Sequence, residues 1–288
     1  MALEIPSSYV QAGQITARQA PQGWHVVDPQ EGSIAPDDGA DRADLGRELH
    51  ENGIRLIAVR HGQSETNAFA EKKGVPVLCG QVESPLSPKG MAQACEAADK
   101  IYQSLGGDAW LMQAAGNPAL IPVIYSSTLS RALNTAHTTA DLIGKRAGEL
   151  ADSGQIDRQA AERISHDVQP HQDKRILEMS YGDCELQPIP SVIKEQPEFM
   201  GNWEAYKGKG IDFVHSFPNG ESRSDVIDRV SSFMRDLVDH DGGKTVLMFC
   251  HAETIVAAQT ILGKQQLDNG RIHVNVSGVK NATPIELT

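Results

Sequence analysis

An arginine and a histidine follow an apolar segment, in positions where their side chains could bind and attack a phosphoryl group. Residues 54–59 are mostly apolar and β-branched, and Arg60-His61-Gly62 comes directly after them. Arginine presents a planar fork of donors to an oxyanion, and histidine is a nucleophile toward phosphorus. Glycine lets the backbone pass close to a bound group, and a helix beginning there would direct free N–H groups at an anion. The triplet alone also fits a surface histidine that follows a strand.

Two later apolar segments end in polar residues in the same way. Residues 121–125 lead into Ser126-Ser127, with Arg131 shortly after, and residues 244–250 lead into His251. Each pattern predicts a buried strand followed by a helix, and right-handed crossovers bring the carboxyl ends of such strands to one edge of a sheet. We therefore expect an α/β fold, a single domain with insertions, whose mostly parallel central sheet has helices on both faces.

The segments between the predicted strands contain helices and insertions. Ser87 and Pro88 are typical of a helix start, and apolar residues at helical spacing follow them, as they do over residues 226–238. The glycines, asparagine and proline of residues 106–120 predict a loop insertion. Polar residues 145–172 predict a helix and a loop beside the mouth of the site, in which His166 and His171 are surface histidines. Residues 188–220 form a long stretch punctuated by proline, glycine and aromatic residues.

Composition limits the kinds of partner. The net charge of −12 argues against nucleic acid and anionic membranes, because both require extended basic surface on the protein. No Cys-x-x-Cys spacing occurs among the four cysteines, so neither a zinc ribbon nor a disulfide framework is indicated, and we expect a reduced, cytoplasmic setting. Since no apolar run approaches about 18 residues and no leader pattern is present, we expect no membrane span and no secretory signal.

Arg60-His61-Gly62 followed by Ser64-Glu65-Thr66-Asn67 resembles the signature of the histidine phosphatase superfamily, which includes the cofactor-dependent phosphoglycerate mutases. The resemblance recurs in order along the chain, from residue 54 almost to the end, at residues 80–90, 126–136, 175–182 and 220–222. We accordingly expect an N-terminal extension at residues 1–50 and a phosphoglycerate mutase-like domain at residues 51–288.

The resemblance implies a role for each residue at the sheet edge. His61, oriented by a backbone carbonyl through its other ring nitrogen, would attack phosphorus and become phosphohistidine. Arg60 and Arg131 would clamp the phosphoryl oxygens, and His251 would donate to them. Glu178 would protonate the leaving oxygen and later activate water.

Further residues would line the phosphate or the substrate, namely Asn67, Gly80, Tyr181 and, through its N–H, Ala252. Glu221 allows two interpretations: a carboxylate in the first turn of a helix, or a partner that holds a cation of the active site. No metal and no cofactor are expected, because two arginines in one pocket repel a divalent ion and suit an anion.

The leading hypothesis is a metal-independent phosphomonoester hydrolase that acts on a small phosphorylated metabolite. A phosphoglycerate mutase is the main alternative. The mutases hold the substrate carboxylate with a paired Arg-Arg after a tryptophan, whereas here Trp203 is followed by Glu204-Ala205. A catalytically weak, phosphatase-like binding or scaffold protein is the second alternative. The sequence leaves the substrate and the oligomeric state open, a homo-oligomer included.

Overall fold

The computed structural model describes residues 40–195, 216–263, 267–268, 271–272 and 279–288. These ranges contain the helices α1 (Ala40–Glu51), α2 (Glu65–Lys73), α3 (Pro88–Leu105), α4 (Gly107–Gly116), α5 (Ser130–Asp152), α6 (Arg158–Asp167), α7 (Ile189–Glu195), α8 (Arg223–His240) and α9 (Ala252–Ile261). The strands are β1 (Arg55–Arg60), β2 (Val123–Ser126), β3 (His171–Gln172), β4 (Thr245–Cys250), β5 (Leu267–Asp268), β6 (Arg271–Ile272) and β7 (Pro284–Glu286).

The main sheet has five strands in the order β3-β2-β4-β1-β7. The pairs β2–β3, β2–β4 and β1–β4 are parallel, and only β7 at one edge runs antiparallel to its neighbour. The predicted mostly parallel α/β sheet is therefore confirmed. Because β2, β4 and β1 are parallel neighbours, their carboxyl ends lie side by side.

Successive residues of β1 face opposite sides of the sheet and enter two separate cores. Leu56 and Ala58 belong to the core that also contains buried side chains of α1, α8 and α9. Ile57 and Val59 belong to the other, which contains side chains of α3, α4, α5 and α6. Burial on both sides explains the nearly continuous apolar run of this strand and confirms helices on both faces.

Side-chain caps fix where the helices next to the sheet begin. Ser64 accepts the backbone N–H of Asn67, while the Asn67 side chain accepts the N–H of Ser64, a reciprocal pair that starts α2. Ser87 caps α3, with Pro88 at its first position, as the sequence predicts. Ser222 and Asp225 form a second reciprocal pair at the start of α8.

Residues 106–120, predicted to be a loop insertion, instead form α4 and a short 3-10 turn at Pro118–Leu120. Gly106 ends α3 in a left-handed conformation and at the same time precedes α4, so the glycines mark a junction between two helices. The helix is stabilised by its buried face, which includes Trp110, Leu111 and Ala114. The error has a physical reason, because tertiary packing on the second core outweighs the local breaker signal.

The other predicted segments have different outcomes. Residues 145–172 contain the end of α5, all of α6 and the edge strand β3, and α6 packs against α5 and α4. Both His166 and His171 are exposed, as expected for surface histidines. Trp203 and the two residues after it lie outside the described residues.

Helix α1 lies in the stretch that the sequence assigns to the N-terminal extension, yet Leu45 and Leu49 on it are buried in the first core. The boundary between residues 50 and 51 stays a prediction. Within the described ranges, no helix combines the length and the apolar character needed to cross a lipid bilayer.

Burial of α1 predicts a large effect of truncating its inner face. Leu49 is fully buried, so Leu49→Ala should lower the free energy of unfolding by about 2–5 kcal/mol in urea denaturation. The matched control on the same helix is Glu51→Ala, whose side chain is 64% exposed, with an expected change within about 0.5 kcal/mol. Equal effects of the two substitutions would contradict the packing of α1 on the domain.

Candidate active site

The ends of three strands bring the two predicted histidines together. The backbone N–H of His61 donates to the carbonyl of Cys250 at 3.1 Å, which continues the pairing of β1 with β4 one residue beyond the strands. Ser127 N–H donates in the same way to the carbonyl of Phe249 at 2.9 Å, beyond β2. The rings of His61 and His251 consequently lie 5.1 Å apart, centroid to centroid.

The geometry of His61 leaves one ring nitrogen available. Its Nδ1 lies 2.6 Å from the carbonyl oxygen of Gly62, and because a carbonyl only accepts, Nδ1 must carry the proton. Burial and the charges of Arg131 and Arg60 lower the pKa of His61 well below its ordinary value. The ring is therefore neutral near pH 7, with an unprotonated Nε2 that can act as a nucleophile. The sequence-based expectation of a carbonyl that orients His61 is confirmed.

The backbone approaches closely around this histidine. A Cβ added to Gly62 would lie 2.3 Å from the carbonyl oxygen of Gly90 in the first turn of α3. No other residue type could occupy this position without moving the helix. The glycine of the triplet therefore serves the packing of α3 against the loop after β1.

Both predicted arginines line the cavity with His61, and each is anchored to backbone carbonyls. Arg131, in the first turn of α5 and fully buried, donates to the carbonyls of Val82 at 2.8 Å and Gly80 at 2.5 Å. Arg60 donates through Nη1 to the carbonyl of Val279 at 2.8 Å. Its buried Nε has no hydrogen-bond partner among the described residues. The two cations are held in place before any anion arrives.

His251 follows β4 and precedes α9, with its ring fully buried. Its Nε2 lies 2.8 Å from the hydroxyl of Ser127, which also accepts the N–H of Leu129 at 3.3 Å. Within the described ranges, the buried Nδ1 has no hydrogen-bond partner. If the hydroxyl donates to Nε2, the hydrogen of the neutral ring is on Nδ1 and is free to bind an oxygen atom of a ligand.

Glu178 is buried beside these groups, and its side chain lies against the N-terminus of α9. Its carboxylate accepts the N–H groups of Ala252 at 3.1 Å, Glu253 at 3.2 Å and Met179 at 2.9 Å. Burial and the nearby Glu253 carboxylate raise the pKa of Glu178 to about 7. A carboxyl group with such a pKa can both give and take a proton at neutral pH.

A cavity of about 60 Å³ lies beside these groups and gives room for several water molecules or a small anionic group, although the His251 side chain is not part of its lining. Besides Arg60, His61, Arg131 and Glu178, its lining includes the predicted residues Asn67, Tyr181 and Ala252. Ser64, Val77, Leu78 and Cys79 also line it. The amide oxygen of Asn67 accepts the Ser64 N–H, so the side chain is fixed by the cap of α2.

Comparison with known proteins agrees with this geometry. The family model of the histidine phosphatase superfamily (branch 1) matches residues 56–152 and 157–283. This chain belongs to that superfamily.

The similar proteins include both phosphatases and mutases by name. A 2,3-bisphosphoglycerate-dependent phosphoglycerate mutase of Nocardioides sp. is 30% identical, over 70% of this chain and 74% of its own length. A Hydrogenobacter thermophilus protein provisionally named phosphoserine phosphatase 2 is 27% identical, over 78% of this chain and 87% of its own length. The mycobacterial glucosyl-3-phosphoglycerate phosphatase shares the fold, with a TM-score of 0.50 at 21% identity, over 80% of this chain and 90% of that structure.

Gly80 supports this histidine phosphatase site from outside the cavity lining. Its carbonyl accepts Arg131, and its N–H donates to Glu185 at 2.8 Å. A Cβ at this position would lie 2.2 Å from the carbonyl oxygen of Met179. Only glycine therefore allows the loop that holds Arg131 to lie against the loop that carries Glu178.

Glu221 has a partner that the sequence did not indicate. It precedes Ser222, the cap of α8, so it lies outside the first turn of that helix. Its carboxylate pairs with Arg229, not with Arg60 or Arg131, and it also accepts the N–H of Ser180. The interpretation as a first-turn carboxylate is wrong, because α8 begins two residues later, at Arg223. Glu221 does hold a cation, Arg229, but this arginine lies outside the cavity lining.

Sequence reasoning missed several supporting residues of this histidine phosphatase. Ser127 contacts His251, Glu185 holds the Gly80 loop, Gln81 contacts Glu178, and Arg229 pairs with Glu221. Ser127 was visible as part of a polar pair at a strand end, but the other three are a glutamate, a glutamine and a helix arginine of ordinary surface type. In the part of the chain that the structure describes, no His, Cys, Asp and Glu side chains group in a way that could hold a metal ion.

The raised pKa of Glu178 predicts a measurable titration. In ¹³C-glutamate-labelled protein, one carboxyl resonance should titrate near pH 7 and be absent from Glu178→Gln. Because the folded state keeps a proton that the unfolded chain loses near pH 4.3, unfolding free energy should fall as pH rises from there to 7. The slope attributable to Glu178 is about 1.4 kcal/mol per pH unit and should disappear in Glu178→Gln. A resonance lost in the variant but titrating near pH 4 would contradict this environment.

Proposed function

We propose that this protein is a phosphomonoester hydrolase that acts on a small phosphorylated metabolite through a phosphohistidine at His61. The observation that carries the proposal is the neutral His61 ring, with Nδ1 committed to the Gly62 carbonyl and Nε2 left unprotonated, in a cavity that two anchored arginines also line. A protonatable carboxyl group lies in the same cavity. This combination supplies a nucleophile, charge stabilisation for the phosphoryl oxygens, and an acid for the leaving group.

Binding of the phosphoryl group requires a rearrangement of Glu178. In the structure the carboxylate of Glu178 accepts the Ala252 N–H that we assign to a phosphoryl oxygen. The incoming anion takes this N–H together with donors from Arg60, Arg131 and His251. The Glu178 side chain then turns away from the N-terminus of α9 and faces the ester oxygen. It keeps its proton because the phosphoryl dianion is nearby.

Transfer then proceeds in two steps. In the first, Nε2 of His61 forms a bond to phosphorus while the bond from phosphorus to the ester oxygen breaks, and Glu178 gives its proton to that oxygen. In the second, Glu178 takes a proton from water as the water oxygen bonds to phosphorus and the bond from phosphorus to nitrogen breaks. The products are an alcohol, inorganic phosphate and the neutral imidazole of His61. Because phosphoryl charge is spread over three oxygens, the fixed cations contribute throughout.

Hydrolysis is favoured over phosphate shuffling between carbons by the charge of the cavity. Among the described residues, the basic side chains that line it are Arg60 and Arg131, together with the neutral His61. Both arginines are assigned to the phosphoryl group, and Val77 and Leu78 form an apolar wall. The second candidate is a phosphoglycerate mutase, which is favoured by the name of the relative that is 30% identical.

Substitution of His61 and of Glu178 should give different defects. His61→Ala removes the nucleophile, so no phosphoenzyme forms with any substrate. Glu178→Gln removes the proton donor, which an alkoxide leaving group needs and p-nitrophenolate barely needs. We expect a loss of about 10²–10⁴-fold on alkyl phosphates, and a much smaller loss in the first turnover of p-nitrophenyl phosphate.

Rapid-quench kinetics with labelled substrate, alkaline trapping and peptide mapping measure both defects. His166→Ala is the matched histidine control, since this side chain is 88% exposed. Label on a residue other than His61, or equal first-turnover losses on the two substrates in Glu178→Gln, would contradict the assigned roles.

The balance between hydrolase and mutase is measured with 3-phosphoglycerate and a bisphosphoglycerate primer. Phosphate release should exceed formation of 2-phosphoglycerate, because no carboxylate clamp lines the cavity in the described residues. Interconversion faster than phosphate release would reverse the ranking of the two candidates. Absence of both activities, and of turnover on a panel of phosphate monoesters, would favour the binding-protein alternative.

The mechanism also predicts insensitivity to chelators. The charge that stabilises transfer comes from arginine and histidine side chains, so dialysis against EDTA should leave the rate of p-nitrophenyl phosphate hydrolysis unchanged within error. Loss of activity that added zinc or magnesium restores would contradict a metal-independent enzyme.

A further inference from the structure

We propose that Arg229 is a positioning residue for Glu178, acting through the backbone of the loop that carries it. The inference rests on the proposed function, since it concerns delivery of the proton to the leaving group. Arg229 projects from α8 and lies outside the cavity lining. Apart from its charge, which adds to the effect of burial in lowering the pKa of His251, any effect it has on the reaction must be transmitted by the groups it binds.

The guanidinium of Arg229 binds three carbonyl oxygens of one short loop. Nη1 donates to the carbonyls of Arg175 at 2.7 Å and Leu177 at 2.8 Å, and Nη2 donates to that of Glu178 at 3.1 Å. The loop begins with the 3-10 turn Lys174–Ile176 and ends at the next one, Gly182–Cys184, and within the described residues its backbone pairs with no strand. Arg229 supplies the donors that a neighbouring strand would otherwise provide.

Glu221 fixes the guanidinium and extends the clamp to the other side of Glu178. It pairs with Nε of Arg229 at 2.8 Å and with Nη2 at 3.1 Å, an arrangement with two contacts that sets the plane of the fork. The same carboxylate accepts the N–H of Ser180 at 2.8 Å. The backbone of Glu178 is thus held from both directions along the chain.

Gln81 connects this clamp to the loop that anchors Arg131. Its side-chain amide donates to the Glu178 carbonyl at 3.0 Å and to Glu221 at 3.3 Å. Its neighbours Gly80 and Val82 provide the carbonyls that bind Arg131. The acid and one phosphoryl-binding cation are therefore positioned by one continuous network.

This network binds the backbone of Glu178 and not its carboxyl group. The side chain can therefore turn while the backbone stays fixed. The proposed mechanism requires the carboxyl group to leave the start of α9 and reach the ester oxygen, and a displacement of about 1 Å in such a group can cost on the order of 100-fold in rate. Lysine could not replace Arg229 in this role, because a single ammonium cannot span three carbonyls and a carboxylate in a planar fork. The carbonyls need several donors in fixed directions, and only the guanidinium provides them.

The decisive variant is Arg229→Lys, which keeps the charge opposite Glu221. We expect phosphoenzyme formation from an alkyl phosphate to slow by about 10- to 100-fold, and that from p-nitrophenyl phosphate by about 3-fold or less. The matched control is Arg175→Lys. It removes hydrogen bonds that the Arg175 side chain makes to Asp173, next to the same loop, and to Ser232, in the same helix α8. It should lower thermal stability comparably and slow both substrates equally.

A double-mutant cycle separates positioning from a general structural role. If Arg229 acts through the Glu178 carboxyl group, Arg229→Lys should slow the alkyl phosphate by less than about 2-fold when introduced into Glu178→Gln. Equal losses in the two backgrounds, or equal losses on the two substrates, would overturn the proposal. If Arg229→Lys does not fold, Glu221→Gln is tested in the same cycle, with the same expected and contradicting results. A wild-type protein that turns over no phosphate monoester would instead refute the proposed function.

Discussion

The parallel pairing of β1 with β4 is the interaction on which the rest of the site depends. Arg60 is opposite Cys250 in this register, and the His61 N–H continues the ladder by donating to the Cys250 carbonyl. A shift by one residue would turn every side chain of β1 to the other face of the sheet and disrupt the packing of both cores. The hydrophobic effect that fixes the register for folding therefore also fixes the approach of His61 to His251.

Burial of charge at this edge gives the site its chemical character. Arg131 is nearly inaccessible to water and donates to the neutral carbonyls of Gly80 and Val82, so dipoles solvate its charge, and no carboxylate among the described residues pairs with it. Burial lowers the pKa of both His61 and His251, a charge in this state lowers it further, and the same charge attracts an anion. The phosphoryl group that we propose as the ligand would supply the missing negative charge. The Glu178 carboxylate accepts N–H groups at the N-terminus of α9.

Structural support for the site comes from carboxylates that never enter the cavity. Glu185 receives the N–H groups of Gly80, Gln81 and Tyr181, and so connects the loop that anchors Arg131 to the loop that carries Glu178. Glu221 does the same for Arg229 and the loop of Glu178. Irregular backbone has no ladder to satisfy its polar groups, and partly buried side-chain acceptors and donors take that role here. The precision of the site therefore depends on residues that an inspection of the cavity alone would overlook.

The sequence by itself determined the strands that meet at the site and the residues at their ends. The apolar runs before His61 and His251 predicted buried parallel strands, and the caps at Ser87 and Pro88 predicted a helix start, because these signals depend on neighbours along the chain. The sequence also indicated the likeness to the histidine phosphatases. It failed at residues 106–120, where glycines suggested a loop and packing against the second core produced a helix.

Only the tertiary structure decided how the site is held together. The contact of Ser127 with His251 spans 124 positions in the chain, and that of Gln81 with Glu221 spans 140. Neither has a periodic signal, since a serine or a glutamine at such positions is equally common on a solvated surface. The raised pKa of Glu178 likewise arises from burial and from Glu253. Burial and proximity are properties of the folded chain, and they exist only once the strands have paired.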